Sequence, residues 1–242
     1  MSPRSGLEPF ARQAEVAGCN LFYYDSGVDL SSTPCLLVHG LGDEADTWRA
    51  VFLALAAQRR VIALDLPGFG RSELPRQPVS APVYVDTLFE LLDSLELPLV
   101  TLVGHSLGAA IVQQLALQAP GRVVKLVLIG GGLATGKAPL TLPLLLFLIP
   151  GIGEWSYNRL RQDPQAAFQT LYPYYATLDL LPQAERDFLY ERVNQRVWSD
   201  KQRTAFLGIL RSLARWLPAR QRDLAQRLAS IPISTQIIWG AE

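Results

Sequence analysis

Short apolar runs alternate with stretches of helical periodicity through the first 130 residues of the chain. The runs are rich in β-branched residues, as strands are, and cover residues 21–24, 35–38, 61–64, 100–103 and 123–129. The last four are almost continuously apolar, which is typical of parallel strands covered on both faces. Between them, apolar side chains recur at helical spacing over residues 47–58, 83–95 and 107–118. This order predicts a mostly parallel, doubly wound α/β sheet.

The pattern changes at about residue 133. From there to residue 230 no run is typical of a strand, and prolines separate four predicted helices, at residues 159–172, 183–197, 201–216 and 219–228. Strand character returns at residues 233–239. The sequence therefore predicts an α/β core in residues 1–132, a helical cap inserted at residues 133–230, and a returning core strand in residues 231–242.

The most hydrophobic stretch covers residues 138–153 and contains three prolines. It is shorter than the roughly 20 residues that a helix needs to cross a bilayer. We expect it to be buried or to line a pocket, and contact between a lid helix and a membrane is the alternative. The first ten residues contain no apolar run of the kind found in signal peptides, so we expect a cytoplasmic protein.

The chain of 242 residues has 22 basic and 22 acidic side chains, and this balance argues against a nucleic-acid-binding protein. The charge is unevenly distributed, because residues 1–133 have a net charge of −4 and residues 134–230 a net charge of +5. Most basic groups in the second part are arginines on helices, which usually form a solvated face. Attraction of anionic substrates or of a membrane surface is the alternative. Cys19 and Cys35 are too few for a disulfide framework and are expected to be buried thiols.

The strongest chemical motif is the Gly-x-Ser-x-Gly sequence centred on Ser106, between a predicted strand and a predicted helix. A serine on such a sharp turn presents its hydroxyl above the sheet, and Gly104 and Gly108 allow the backbone to approach closely. The start of the following helix adds free N–H groups and a partial positive charge. The motif predicts that Ser106 is a catalytic nucleophile.

A second motif, His39-Gly40-Leu41-Gly42, directly follows another predicted strand. In enzymes with a nucleophilic serine at such a strand-to-helix turn, one amide of the oxyanion hole comes from the residue after the serine. The other comes from the loop after an earlier strand. We therefore predict that the backbone amides of Leu41 and Leu107 form the oxyanion hole.

The chain contains only two histidines, so a base within it could only be His39 or His105. His39 ends a strand and shapes the oxyanion loop, so we do not expect it to lie opposite Ser106. His105 precedes the serine directly and cannot point back at its hydroxyl. Both histidines are therefore predicted to be structural.

A third motif, Asp-Leu-Pro-Gly-Phe-Gly-Arg-Ser at residues 65–72, closes a predicted strand, and Asp65 is a candidate to order this turn. Together the three motifs resemble those of the α/β-hydrolase superfamily, in the branch with a serine nucleophile and a helical cap. The resemblance extends over essentially the whole chain, because residues 233–239 followed by Gly240 are similar to the strand that returns after the cap. It implies the α/β-hydrolase fold.

Members of this family supply the triad acid and histidine after the serine along the chain. The acid lies in a Trp-Gly-x-x-Asp turn, whereas this chain reads Trp239-Gly240-Ala241-Glu242 and stops one position earlier. The resemblance therefore implies a truncated hydrolase that lacks the triad acid, the triad base, the last strand and the last helix. Glu242 as the acid, a second chain that completes the site, and a degenerate binding protein are the alternatives.

The expected activity is hydrolysis of a small, modestly apolar ester or related carbonyl substrate through an acyl-enzyme, as in carboxylesterases and lipases. The 242-residue chain is expected to be inactive or very weak. The turn at residues 104–108, which we call the elbow, contains a serine rather than an aspartate. This argues against the haloalkane dehalogenases and epoxide hydrolases of the superfamily. Hydrolysis of a carbon–carbon bond, acyl transfer, and non-catalytic ligand binding are the alternatives.

Six cap aromatics either line an apolar pocket or, as we expect, belong to the cap core: Trp155, Tyr157, Tyr172, Tyr174, Tyr175 and Trp198. The sequence contains no metal-ligand cluster, dinucleotide-binding fingerprint or phosphate-binding loop. We therefore expect no metal and no cofactor, and a small molecule as the partner.

Overall fold

The computed structural model describes residues 5–27, 32–132 and 142–240. Within these residues the strands are β1 (Ala11–Val16), β2 (Cys19–Asp25), β3 (Cys35–Val38), β4 (Val61–Leu64), β5 (Val100–His105), β6 (Val123–Ile129) and β7 (Ser234–Ile238). They form one sheet in the order β1-β2-β4-β3-β5-β6-β7. Strand β2 pairs antiparallel with β1 and β4, and all other pairs are parallel. The predicted fold class is confirmed.

The described α-helices fall into two groups. Helices that flank the sheet are α1 (Arg49–Ala56), α2 (Ala81–Ser94) and α3 (Leu107–Gln118). The cap helices are α4 (Leu142–Leu148), α5 (Ile152–Arg159), α6 (Pro164–Gln169), α7 (Gln183–Trp198) and α8 (Asp200–Ser230). All five helices of this second group lie between β6 and β7 in the chain.

The core explains the continuous apolar runs. Strands β3 and β4 are buried at every position, because helices or further packed segments cover both faces of the sheet. Successive residues of a strand point to opposite faces. Leu36 accordingly packs in the cluster that contains Leu102 and Val112, and Leu37 in the cluster on the other face that contains Phe52. Cys19 and Cys35 are buried and free, as predicted.

Strand β1 is not among the strands that the sequence predicts. It forms a hairpin with β2 through a turn at Ala17 and Gly18, both of which have positive φ angles. Of its six residues only Val16 is buried, so its sequence lacks the apolar run of the inner strands. The strand lies at the edge of the sheet, where a mostly polar sequence is tolerated.

The cap helices also differ from their predicted bounds. The single helix predicted at residues 159–172 is interrupted, because the side chain of Asp163 accepts hydrogen bonds from the backbone N–H groups of Gln165 and Ala166 and starts α6 anew. Conversely, the two helices predicted at residues 201–216 and 219–228 are one continuous helix, α8, which passes through Pro218.

The cap aromatics are not one cluster. Tyr157 is buried in the cap core beside Val193 and Val197, as expected. Trp155, Tyr172, Tyr174 and Trp198 are exposed, so for these four the predicted core position is wrong. Within the predicted buried stretch, the side chains exposed to solvent are Leu145, Leu146, Ile149 and Ile152. The first residues of this stretch lie outside the described residues. Among the described residues, no helix has both the length and the apolar character needed to cross a membrane.

Strand β7 lies at the opposite edge of the sheet from β1. It pairs parallel with β6, from Lys125 opposite Ser234 to Ile129 opposite Ile238. All five of its residues are exposed. Glu242, the alternative triad acid, lies outside the described residues.

Candidate active site

Ser106 stands between β5 and α3 in a backbone conformation that few residues other than glycine adopt, with φ 51° and ψ −111°. Close packing of neighbouring backbone maintains this strained turn. A β-carbon placed on Gly108 would lie 2.2 Å from the carbonyl oxygen of Val38, and one on Gly104 would lie 2.5 Å from the amide nitrogen of Ala109. The glycines of the motif are therefore required because the backbone segments touch.

Two further loops meet at Ser106. A β-carbon on Gly40 would lie 3.3 Å from the β-carbon of Ser106, and one on Gly131 would lie 2.6 Å from its α-carbon. The Ser106 amide donates a hydrogen bond to the carbonyl of Ile129 at 2.9 Å. The loops that follow β3 and β6 thus enclose the serine between them.

The two predicted oxyanion amides belong to these neighbouring segments. Leu107 is the first residue of α3, so its N–H has no partner within the helix. Leu41 lies in a tight turn that closes when the Asp43 N–H donates to the Gly40 carbonyl at 3.3 Å, with Gly42 at a φ of 75°. Within the described part of the chain, neither the Leu41 nor the Leu107 amide donates a hydrogen bond. Both are therefore available to an oxygen atom bound beside Ser106.

His39 is fixed by hydrogen bonds that do not involve Ser106. Its Nδ1 donates to the Gly40 carbonyl at 2.7 Å, and its Nε2 accepts from the Leu66 N–H at 2.9 Å. These bonds require the neutral imidazole with its proton on Nδ1. Burial lowers the pKa of His39 and outweighs the opposing effects of Asp43 and Asp65. The ring connects the loop that follows β3, through Gly40, to the loop that follows β4, through Leu66.

His105 lies beside the elbow. Its ring approaches Gly40 on one side and Gly130 on the other. Burial lowers the pKa of His105, with Asp43 acting in the opposite direction. Across residues 5–27, 32–132 and 142–240, neither an imidazole nor a carboxylate hydrogen-bonds to the Ser106 hydroxyl.

Asp65 orders the third motif. Its fully buried carboxylate accepts hydrogen bonds from the Ala45 N–H at 2.6 Å, the Arg71 N–H at 2.7 Å and the Arg71 Nε at 2.8 Å. Burial alone would raise the pKa of Asp65, but the Arg71 guanidinium and these hydrogen bonds hold it below its ordinary value. The carboxylate thus connects the third motif to the segment that follows the oxyanion loop.

Ion pairs between the cap and the core are the part of the site that sequence reasoning missed. Arg196 of α7 pairs with Asp43, and Arg192 pairs with Glu44 and, at 3.0 Å, with Asp46. These arginines were expected on a solvated helix face, yet both are largely buried against the core. The opposite net charges of the two parts of the chain were the available signal, because they favour attraction between cap and core.

Comparison with known proteins agrees with the fold described above. Residues 33–242 match the profile of the family described as alpha/beta hydrolase fold. A Pseudomonas putida protein named 2-hydroxy-6-oxononadienedioate/2-hydroxy-6-oxononatrienedioate hydrolase 2 is 30% identical over 236 residues, which cover 91% of this chain and 74% of that protein. A 2-hydroxymuconate semialdehyde hydrolase from Pseudomonas sp. (strain CF600) is 40% identical over 133 residues, covering 53% of this chain and 44% of that protein.

A solved structure of a meta-cleavage product hydrolase variant shares the fold, with a TM-score of 0.70 at 24% identity. It covers 96% of this chain, and this chain covers 78% of it. The first curated relatives, which are uncharacterized mycobacterial proteins, are matched over only 30% of their own length. The profile match over residues 33–242 and the sheet order together show that this chain belongs to the alpha/beta hydrolase family.

Proposed function

We propose that Ser106 is the nucleophile of a serine hydrolase, and that the amides of Leu41 and Leu107 form its oxyanion hole. One observation carries this proposal: a strained serine at a strand-to-helix turn lies beside two backbone N–H groups that have no acceptor in the described part of the chain. A strained backbone is costly, and such strain concentrates at functional sites.

The proposed reaction forms and then hydrolyses an acyl-enzyme. The Ser106 Oγ attacks the carbonyl carbon of the substrate, and its proton passes to a general base. The carbonyl oxygen becomes an oxyanion that accepts hydrogen bonds from the Leu41 and Leu107 amides. The base then protonates the leaving group as it departs, and water releases the acid and frees Ser106.

The base is not one of the two imidazoles of this chain. His39 uses Nδ1 and Nε2 in backbone hydrogen bonds, and His105 packs between two glycine-containing segments. We propose that a histidine from outside these 242 residues, together with a carboxylate, completes the triad. This arrangement follows the order of serine, then acid, then histidine that is usual in the family.

The proposed substrate is a small, modestly apolar ester. The partly buried ring of Phe206 on α8 lies above the oxyanion loop, where a side chain on Gly42 would meet its carbons at 3.5 Å. The ring of Phe147 on α4 packs edge-on against it with centroids 5.5 Å apart. These aromatics and the partly buried Leu41 are apolar groups in or next to the turn at residues 40–43, which supports an apolar substrate.

Hydrolysis of a carbon–carbon bond beside a ketone is the second candidate. The relatives that favour it are the P. putida hydrolase and the semialdehyde hydrolase, whose names describe 2-hydroxy-6-oxo acids and 2-hydroxymuconate semialdehyde. Attack by Ser106 and stabilisation of the oxyanion are the same for both reactions. The leaving group differs, because the carbon of an enolate rather than the oxygen of an alkoxide must be protonated.

The test is turnover of p-nitrophenyl butyrate and of a 2-hydroxy-6-oxo dienoate by the intact protein and its Ser106→Ala variant. We expect the variant to lose about 10⁴-fold or more in kcat on whichever substrate the wild type accepts. Ser94→Ala is a matched control, because the Ser94 hydroxyl bonds only to the carbonyl of Leu91 within its own helix. Equal turnover by wild type and Ser106→Ala would show that Ser106 is not the nucleophile. A wild type that turns over neither substrate would favour the non-catalytic binding protein.

A further inference from the structure

We propose that cap residues Gln202 and Arg196 position the oxyanion loop, so that the cap completes the oxyanion hole as well as covering the site. The proposal rests on the proposed function, because it assumes that the Leu41 amide receives the oxyanion. Its basis is a series of contacts from the cap to consecutive residues that directly follow Leu41.

Gln202 holds the first of these residues. It lies on α8 and is only 2% exposed. Its side-chain NH₂ donates to the carbonyl of Gly42 at 3.0 Å, and its side-chain oxygen accepts from the N–H of Gly70 at 3.3 Å. One cap amide therefore joins the loop after β3 to the loop after β4. A reversed amide would place donor against donor, so the two partners fix its orientation.

Arg196 and Arg192 hold the next two residues. Arg196 pairs with Asp43, and the Arg192 Nε donates to Glu44 at 2.7 Å. Burial alone would raise the pKa of Asp43, but the Arg196 guanidinium keeps it below its ordinary value, so the pair is ionised at neutral pH. Residues 42, 43 and 44 are therefore each bound by a different cap side chain.

These contacts bear directly on the Leu41 amide. Leu41 and Gly42 are the central residues of the turn, and Gly42 has a φ of 75°, a left-handed conformation that glycine adopts without strain. An oxyanion donor works only when it lies about 2.7–3.1 Å from the developing charge. If the Gly42 carbonyl lost its partner, its peptide could rotate and break the 3.3 Å hydrogen bond from the Asp43 N–H to the Gly40 carbonyl. The Gly40 carbonyl belongs to the peptide that carries the Leu41 N–H, so this donor would lose part of its support. The cap contacts therefore contribute to transition-state stabilisation, although none of the three side chains need touch the substrate.

The test compares Gln202→Met with Gln226→Met in the intact protein. Methionine has a similar shape and forms neither hydrogen bond of Gln202, and Gln226 is an exposed glutamine on the same helix. We measure kcat and KM for the ester and, in the same samples, amide hydrogen exchange of the peptide that contains residues 40–43. Gln202→Met should lower kcat about tenfold or more and change KM less than about twofold, because only the transition state carries the oxyanion. Exchange at residues 40–43 should become faster in this variant, and Gln226→Met should match the wild type in every readout.

A second variant, Gln202→Glu, covers the case in which Gln202→Met does not fold. An ionised glutamate still accepts from the Gly70 N–H but cannot donate to the Gly42 carbonyl, so kcat should fall and exchange at residues 40–43 should rise here too. Unchanged exchange at residues 40–43 in a folded variant overturns the proposal, as does a loss that lies in KM rather than kcat. If the wild type turns over no substrate, the proposed function fails, and the exchange arm still decides whether Gln202 orders the loop.

Discussion

The turn at Ser106 and the cap both lie next to the loop that follows β3, residues 39–44, yet different kinds of contact hold them in place. At the elbow, backbone touches backbone: Gly108 packs against the Val38 carbonyl, and Gly131 packs against Ser106. Between cap and core, charged and polar side chains meet, as in the pairs of Arg192 with Glu44 and Arg196 with Asp43.

The two kinds of contact involve residues at different separations along the sequence. The elbow motif is local, because five consecutive residues supply the strained serine and both glycines. Arg192 and Glu44, by contrast, are 148 positions apart and meet only in the folded protein. A buried ion pair also loses the hydration of both charges, so its net contribution to stability depends on how well every partner is satisfied. We therefore expect substitutions at the elbow to affect folding as a whole, and substitutions at the cap interface to act through single side chains.

Gly108→Ala should have the largest effect. Its new β-carbon would lie 2.2 Å from the Val38 carbonyl oxygen and 2.6 Å from that of His39, and neither backbone atom can move away cheaply. We expect a loss in the free energy of unfolding greater than about 3 kcal/mol, the upper end of ordinary overpacking. Gly121→Ala is the control, because no atom lies within 4 Å of its β-carbon position. Similar urea midpoints for the two variants would contradict this account of the elbow.

Arg192→Met should cost about 3 kcal/mol in the free energy of unfolding, because it leaves Glu44 and Asp46 buried without their shared cation. Glu44→Gln in the same chain should restore part of this loss by removing one of the two carboxylate charges that Arg192 pairs with. Arg76→Met, which removes an exposed arginine paired only with exposed Glu15, should change stability by less than about 0.5 kcal/mol. Additive effects of Arg192→Met and Glu44→Gln would show that the two side chains do not interact.

Asp65→Asn should cost about 2 kcal/mol near neutral pH, because it weakens charged hydrogen bonds to Arg71. A carboxyl whose pKa is lower in the folded protein stabilises the fold above its unfolded pKa, and this contribution is lost as the pH falls through the folded value. The pKa of Asp65 is lowered in this way. The stability difference between wild type and Asp65→Asn should therefore stay constant from about pH 7 to about pH 5 and shrink as the pH falls below about 4. Urea unfolding across this range measures it, and a constant difference would argue against an ionised Asp65.

The smallest effects should distinguish aromatics beside the site from those on the cap surface. Phe206→Ala should raise the KM for apolar esters about tenfold, equal to about 1.4 kcal/mol. Trp198→Ala should leave KM unchanged, because Trp198 is 61% exposed. Equal KM changes in the two variants would mean that Phe206 does not contact the substrate.

The sequence predicts the core better than the cap, because the core leaves local patterns in the sequence and the cap interface joins residues far apart in the chain. Buried parallel strands such as β3 and β4 need continuous apolar residues, and the elbow needs its glycines at fixed spacing, so both leave a local pattern. Strand β1 leaves none, because an edge strand with one buried residue needs no apolar run. Helix α8 continues through Pro218, although a proline in sequence usually indicates a helix boundary.

In the candidate site too, the sequence predicts local features but not contacts between distant residues. Ser106 stands at the predicted strand-to-helix turn. Gln202 has no sequence signature, because its function depends on meeting Gly42 and Gly70 across the fold. Arg192 and Arg196 were expected on a solvated helix face, because the opposite net charges of the two parts of the chain do not identify which side chains pair.

Formation of an acyl-enzyme on Ser106 tests the central claim most directly. The intact protein is mixed with p-nitrophenyl butyrate or a fluorophosphonate, quenched in acid and digested, and the modified residue is located by tandem mass spectrometry. The account predicts an added acyl or phosphonyl group on Ser106 and none in the Ser106→Ala variant. Modification of another residue, or equal modification in the Ser106→Ala variant, would contradict it.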